Sequence, residues 1–137
     1  MANALYPGFK ESLLNKEHDL NSDVIKATLI DGADETYAST DITYVAGANG
    51  VADAAKVAVT TLTSPTIALG VFDTADFVWT AATGDQSEVI ILWNDTTTTP
   101  IADALILWMD TGITGMPITP NGGNINGTVN AAGWFSL

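Results

Sequence analysis

The strongest constraint on the fold is a repeated alternation of apolar and polar residues in short segments. Ile25, Ala27 and Leu29 alternate with polar neighbours, and the same pattern recurs in segments 77–81 and 88–93. Successive side chains of a β-strand point to opposite faces, so this period of two predicts half-buried strands rather than helices.

Turn residues separate these segments at short intervals. Strands are predicted at 23–31, 56–62, 66–72, 77–81, 88–93, 104–110, 124–129 and 133–137, with a long loop holding at most one short strand at 35–55. Short strands without interspersed long helices indicate an all-β chain, an antiparallel β-sandwich or barrel of about seven to eight strands. A chain of 137 residues has the usual size of one domain, so we predict a single domain over 1–137.

The first twenty residues show a different pattern. Phe9, Leu13 and Leu14 fall on one face of a short helix, and Pro7 suits a helix start, where its missing N–H is not needed. We therefore predict a helix or arm at 1–20 and a β-sandwich at 21–137. Either the helix covers one end of the core, or it is an arm that docks on a neighbouring subunit. The second alternative predicts that deleting residues 1–16 leaves a folded β domain that attaches poorly to its partner.

Charge and composition exclude several classes of function. The chain has 16 acidic and four basic side chains, a net charge of −12, and its field repels nucleic acid and anionic lipid. It contains no cysteine, which excludes disulfides and thiolate metal sites. No apolar run reaches the roughly 20 residues that a membrane span needs, and the N-terminal residues do not resemble a secretory signal.

Few residues offer catalytic chemistry. His18 is the single histidine and lies in a polar stretch typical of the surface. Asp73 with Asp76, and Asp85 with Glu88, are paired acids, but their spacing is that of strand-flanking turns rather than of a calcium loop. We therefore predict no catalytic, cofactor-binding or metal-binding residues. A small β-fold hydrolase is the rival, and it requires carboxylates that converge in a pocket.

The aromatic residues indicate packing and partner contacts. Trp79, Trp93 and Trp108 lie within apolar strands, which favours a core or an interface. Trp134 and Phe135 are adjacent, so on a strand one of the two rings is expected to point outward. A carbohydrate-binding β-sandwich is an alternative that requires at least two exposed coplanar rings. The arm and this ring pair together give the predicted partner-binding residues: Leu5, Tyr6, Phe9, Leu13, Trp134 and Phe135.

Several segments resemble a family of small virion structural proteins of tailed bacteriophages. In chain order they are Leu5-Tyr6-Pro7, Asp23-Val24-Ile25-Lys26-Ala27, Gly70-Val71-Phe72-Asp73-Thr74-Ala75-Asp76, Thr83-Gly84-Asp85-Gln86-Ser87-Glu88 and Met116-Pro117-Ile118-Thr119-Pro120-Asn121-Gly122-Gly123. The resemblance covers turn and strand signals over most of the chain, and none of them is chemically diagnostic.

This resemblance implies a non-enzymatic particle component rather than an enzyme. The expected role is a head decoration (cement) protein on the outer capsid surface of the virion, which is assembled in the cytoplasm of the host bacterium. Such a protein bridges subunits of the major capsid protein and forms a homo-oligomer, for which a trimer is one option. A tail or neck protein of the same virion is the rival within this resemblance.

Overall fold

The computed structural model describes residues 3–98 and 100–137, and this part of the chain contains ten strands and one α-helix. Met1 and Ala2 of the predicted arm, and Thr99, lie outside the described residues. The elements in chain order are β1 (Ala4–Leu5), α1 (Pro7–Leu14), β2 (Ile25–Ile30), β3 (Lys56–Thr61), β4 (Thr66–Ala68), β5 (Val71–Asp73), β6 (Phe77–Trp79), β7 (Val89–Asn94), β8 (Ala104–Met109), β9 (Ile125–Gly127) and β10 (Phe135–Ser136).

The main sheet has five antiparallel strands in the order β1-β8-β7-β2-β3. Every residue of β7 is buried, and so are five of the six residues in each of β2 and β8. Burial on both faces explains the continuous apolar run of β8. It also corrects the alternation predicted for 88–93, because all six residues of β7 are buried. Because β2 is also covered on both sides, even Thr28 is fully buried.

Two smaller sheets complete the fold, one with the order β10-β5-β4 and one formed by β6 and β9. The indole of Trp79 fastens β6 to the main sheet, because its Nε1 donates a hydrogen bond of 3.1 Å to the carbonyl oxygen of Ala27 in β2. The chain is therefore all-β with one short helix, as predicted. Its strands form three antiparallel sheets rather than an evident closed barrel.

The sequence-based boundaries were wrong at two places. The single strand expected at 66–72 is a hairpin, β4 and β5, joined by the two-residue turn Leu69-Gly70 with both φ angles positive (52° and 81°). The other difference is β1, which pairs with β8 directly before the helix. A two-residue strand of this kind is specified by the partner strand and has no periodicity of its own.

Helix α1 belongs to the core, which is the first of the two interpretations above. Phe9 and Ser12 are buried, Leu13 is half-buried, and Leu14 is 85% exposed. The predicted face was therefore wrong at Leu14, which lies a further 100° around a helix of 3.6 residues per turn. No helix in the described ranges is long and apolar enough to cross a membrane.

Candidate functional site

The predicted contacts of the N-terminal arm lie largely inside the domain. Tyr6 and Phe9 are each 1% exposed, whereas Leu5 and Leu13 are half-buried. The pKa of Tyr6 lies far above its usual range, first because the phenol is buried and then because the carboxylate of Asp41 is near. These side chains hold the first turn of the chain against the main sheet.

The ring pair near the C-terminus is also covered. Trp134 is 9% exposed, and its Nε1 donates to the hydroxyl oxygen of Thr74 at 2.9 Å. Phe135 is half-buried, with its ring centroid 5.9 Å from that of Phe9 and 5.5 Å from that of Phe72. The expectation of an exposed ring was wrong, because Trp134 packs against Phe77 while Phe135 packs against Phe9 and Phe72.

The structure thus brings two of the six predicted contact residues together, Phe9 and Phe135, across the interface between α1 and β10. Leu5 lies elsewhere, at the edge of the main sheet opposite Leu107. A role of these residues in binding a partner stays a prediction, and it requires contacts through the half-exposed ones.

His18 is not the surface residue that its sequence context indicated. It is half-buried, and its Nε2 lies 2.7 Å from the hydroxyl oxygen of Ser12. Its Nδ1 lies 3.0 Å from Nδ2 of Asn94, and the same amide nitrogen donates to Asp23 at 2.6 Å. Ser12, His18 and Asn94 thus lie in the order of a nucleophile, its general base and a side chain that orients the base.

The hydrogen bonds of this cluster place the ring proton of His18 on the nitrogen that faces Ser12, and a catalytic base would need that nitrogen unprotonated. An amide nitrogen only donates, so Nδ1 of His18 accepts from Asn94, and Nε2 carries the proton. Nε2 therefore donates to Ser12, whose own hydroxyl donates to the carbonyl oxygen of Gly8 at 2.9 Å. A general base needs a free lone pair on the nitrogen that faces the nucleophile. The cluster is a structural lock between α1 and β7.

This lock predicts a pH-dependent stability. Burial lowers the pKa of His18 below its ordinary value of 6.5, although Asp23 and Glu17 oppose the shift. Since the folded state favours the neutral ring, its contribution is fully present above pH 6.5 and is lost as the pH falls below that value. We expect the melting temperature to fall more between pH 7 and pH 5 in the wild type than in His18→Gln. Equal slopes in the two proteins would contradict this role.

The acidic residues act mainly on the backbone around them. Asp76 accepts from the N–H of Val129 at 2.9 Å, and Glu88 accepts from the N–H of Gly32 at 2.9 Å. The carboxylates of three aspartates, Asp31, Asp34 and Asp85, lie within 4.8 Å of one another. Exposed acidic groups at turns commonly gather in this way without a function in binding.

The aromatic side chains do not form an exposed platform. All four tryptophans are buried, with 3%, 5%, 3% and 9% of their surface exposed. Trp93 stacks on Tyr44 with ring centroids 4.1 Å apart, and Lys26 and Lys56 cover the two ends of this stack. The tryptophans therefore do not provide the two exposed coplanar rings that the carbohydrate-binding alternative requires.

The hairpin of β4 and β5 carries two exposed apolar residues close together in the sequence. Leu69 in its turn is fully exposed and Ile67 in β4 is 48% exposed. Every residue of β4 is exposed, so this strand is a free edge of its sheet. We call Ile67 and Leu69 the apolar tip.

A cleft of about 720 Å³ lies between the main sheet and the pair β6–β9. Its inner wall includes the buried side chains of Leu29, Ile90 and Trp79, each less than 5% exposed, and the accessible outer wall comes from residues 112–118 and 125–134. We call this space the uncharged cleft, because no ionisable side chain of the described residues lines it. Its volume lies in the range of pockets that hold a drug-sized ligand.

Sequence reasoning missed both features. It placed the tip inside a strand and treated 111–123 as connecting turns. The signal that was available is charge: neither 57–72 nor 111–137 contains an ionisable side chain, in a chain that carries 16 acidic residues.

The comparisons with known proteins give no further guide. No protein-family model, no curated protein and no solved structure matches this chain.

Proposed function

We propose that this chain is a non-enzymatic structural protein of a tailed-bacteriophage virion, which decorates the outer surface of the capsid. It attaches to the major capsid protein by contacts and performs no chemistry. The sequence resemblance to small virion proteins suggests this role, and the stiff all-β fold suits it. The observation that carries the proposal is the apolar tip.

The turn at this tip has an unfavourable residue for its conformation. A two-residue hairpin turn with both φ angles positive favours Asn-Gly or Asp-Gly, and here Leu69 occupies the first position with φ at 52°. The left-handed conformation costs an ordinary L-residue roughly 1–2 kcal/mol. A leucine there gains nothing from burial within its own chain, since it is fully exposed. Its side chain is therefore best explained by a contact with another molecule.

Repetition over a lattice makes such a small contact sufficient. One apolar side chain that leaves water contributes only about 1.5–3 kcal/mol. Copies that are linked through a shell or through one another bind with much greater avidity than a single contact provides. Each copy then adds contacts between capsid subunits that must break before the shell opens.

The test is immunogold labelling of particles from cells that express an affinity-tagged copy of the gene in its native setting. We expect gold on the heads, and at least tenfold less gold with Leu69→Asn. The matched control is Leu14→Asn, which changes a leucine of α1 that is 85% exposed and keeps full labelling. Gold on tails or necks would favour the rival location. Particles without gold would overturn the proposal.

A further inference from the structure

The apolar tip and the uncharged cleft lie in the two longest stretches of the chain without an ionisable side chain. The tip belongs to residues 57–72 and the outer wall of the cleft to residues 111–137, and neither segment holds an ionisable side chain. Copies with a net charge of −12 repel one another at long range. Close approach of two copies therefore costs least where both faces are uncharged.

The two features are also opposite in shape. Leu69 projects fully into solvent from a tight turn, whereas the cleft is concave and has the half-buried side chains of Ile113, Met116 and Ile125 in its wall. Because Leu69 is fully exposed, the tip does not fill the cleft of its own chain. The accessible surface of the cleft is more apolar than polar, so removing an apolar side chain from water there is favourable.

We propose that the apolar tip of one copy inserts into the uncharged cleft of a second copy. This inference rests on the proposed function, because it names the first partner of the tip and explains how decorating copies join one another. A projection on one surface that fits a recess elsewhere on the same molecule can join copies head to tail in a closed ring. It can also join two copies as a symmetric dimer, in which each copy inserts its tip into the cleft of the other.

The choice of a second copy follows from the chain itself. The apolar tip and the uncharged cleft belong to the same chain, and both lack charge. A second copy can therefore bind each of them without another kind of protein. A nucleic acid or an anionic lipid has no cation to bind along these two segments. The unfavourable conformation of Leu69 is offset once its side chain leaves water in a neighbouring cleft.

The experiment uses two variants that each remove one half of the contact. Leu69→Asn removes the tip and gives the turn its preferred residue. Asn126→Asp places a charge in the wall of the cleft at an exposed position, with almost no change in shape. Leu14→Asn is the matched control. Thr128→Asp, also in the cleft wall and exposed, replaces Asn126→Asp if that variant fails to fold.

Sedimentation velocity over a concentration series measures the result. We expect the wild type and Leu14→Asn to associate, and each half-contact variant to associate at least tenfold more weakly. An equimolar mixture of Leu69→Asn and Asn126→Asp is expected to regain association, because one protein supplies an intact cleft and the other an intact tip. A contact between two tips predicts no such recovery.

Three results would overturn the inference: a wild type that stays monomeric, association unchanged by Leu69→Asn, or a mixture that does not recover. Displacement of a copurified small molecule from the cleft, without association, would likewise assign the cleft to another occupant. These outcomes are separate from the proposed function. Labelled heads with a monomeric protein would leave that function standing, whereas association without labelled particles would overturn the function alone.

Discussion

Phe9→Ala is expected to lower the free energy of unfolding by about 3–5 kcal/mol, the usual cost of removing a buried phenylalanine. The side chain is 1% exposed, and its ring lies 5.0 Å from that of His18 and 5.9 Å from that of Phe135. The truncation therefore leaves a cavity where α1, the histidine lock and β10 meet. Urea denaturation followed by tryptophan fluorescence measures the loss.

Leu14→Ala is the matched control for this prediction, because it removes an apolar side chain from the same helix at an 85% exposed position. We expect it to change the stability by less than about 0.5 kcal/mol. Deletion of residues 1–16 removes β1 as well as Tyr6 and Phe9, so we expect that truncated chain to unfold. Two outcomes would contradict the assignment of α1 to the core and favour a detachable arm. One is a truncated chain that stays folded, and the other is a Phe9→Ala variant as stable as its control.

Gly127→Ala is expected to destabilise the fold by about 1–3 kcal/mol through overpacking. Gly127 in β9 lies directly opposite Phe77 in β6, and a Cβ atom added to it would overlap the Phe77 ring. That ring has little freedom to move, because it packs against Trp79 at 4.8 Å and Trp134 at 5.6 Å between centroids. The added methyl group therefore pushes β6 and β9 apart.

Gly47→Ala provides the comparison, since no atom lies within 4 Å of a Cβ added there. We expect its melting temperature to match that of the wild type within experimental error. Because Gly127 and Phe77 both line the uncharged cleft, Gly127→Ala is also expected to weaken association of the chain. Equal melting temperatures for the two alanine variants would contradict this prediction, because they would show that the Phe77 ring moves aside without loss of stability.

The sequence by itself determined the class of the fold. The alternation of Ile25, Ala27 and Leu29 located β2, the alternation in 88–93 located β7, and the apolar run at 104–110 located β8. Strand periodicity and apolar runs are local properties of the chain. The absence of cysteine, the excess of acid and the position of Pro7 at the helix start are likewise visible in the letters alone.

Only the tertiary structure decided which residues meet. The hairpin of β4 and β5 joins a sheet because β5 also pairs with β10, and that pairing joins residues far apart in the sequence. His18 becomes a lock because β7 brings Asn94 beside it. The uncharged cleft exists because residues 112–134 fold back over the main sheet. Periodicity reports the face on which a side chain lies, whereas long-range packing decides what covers that face.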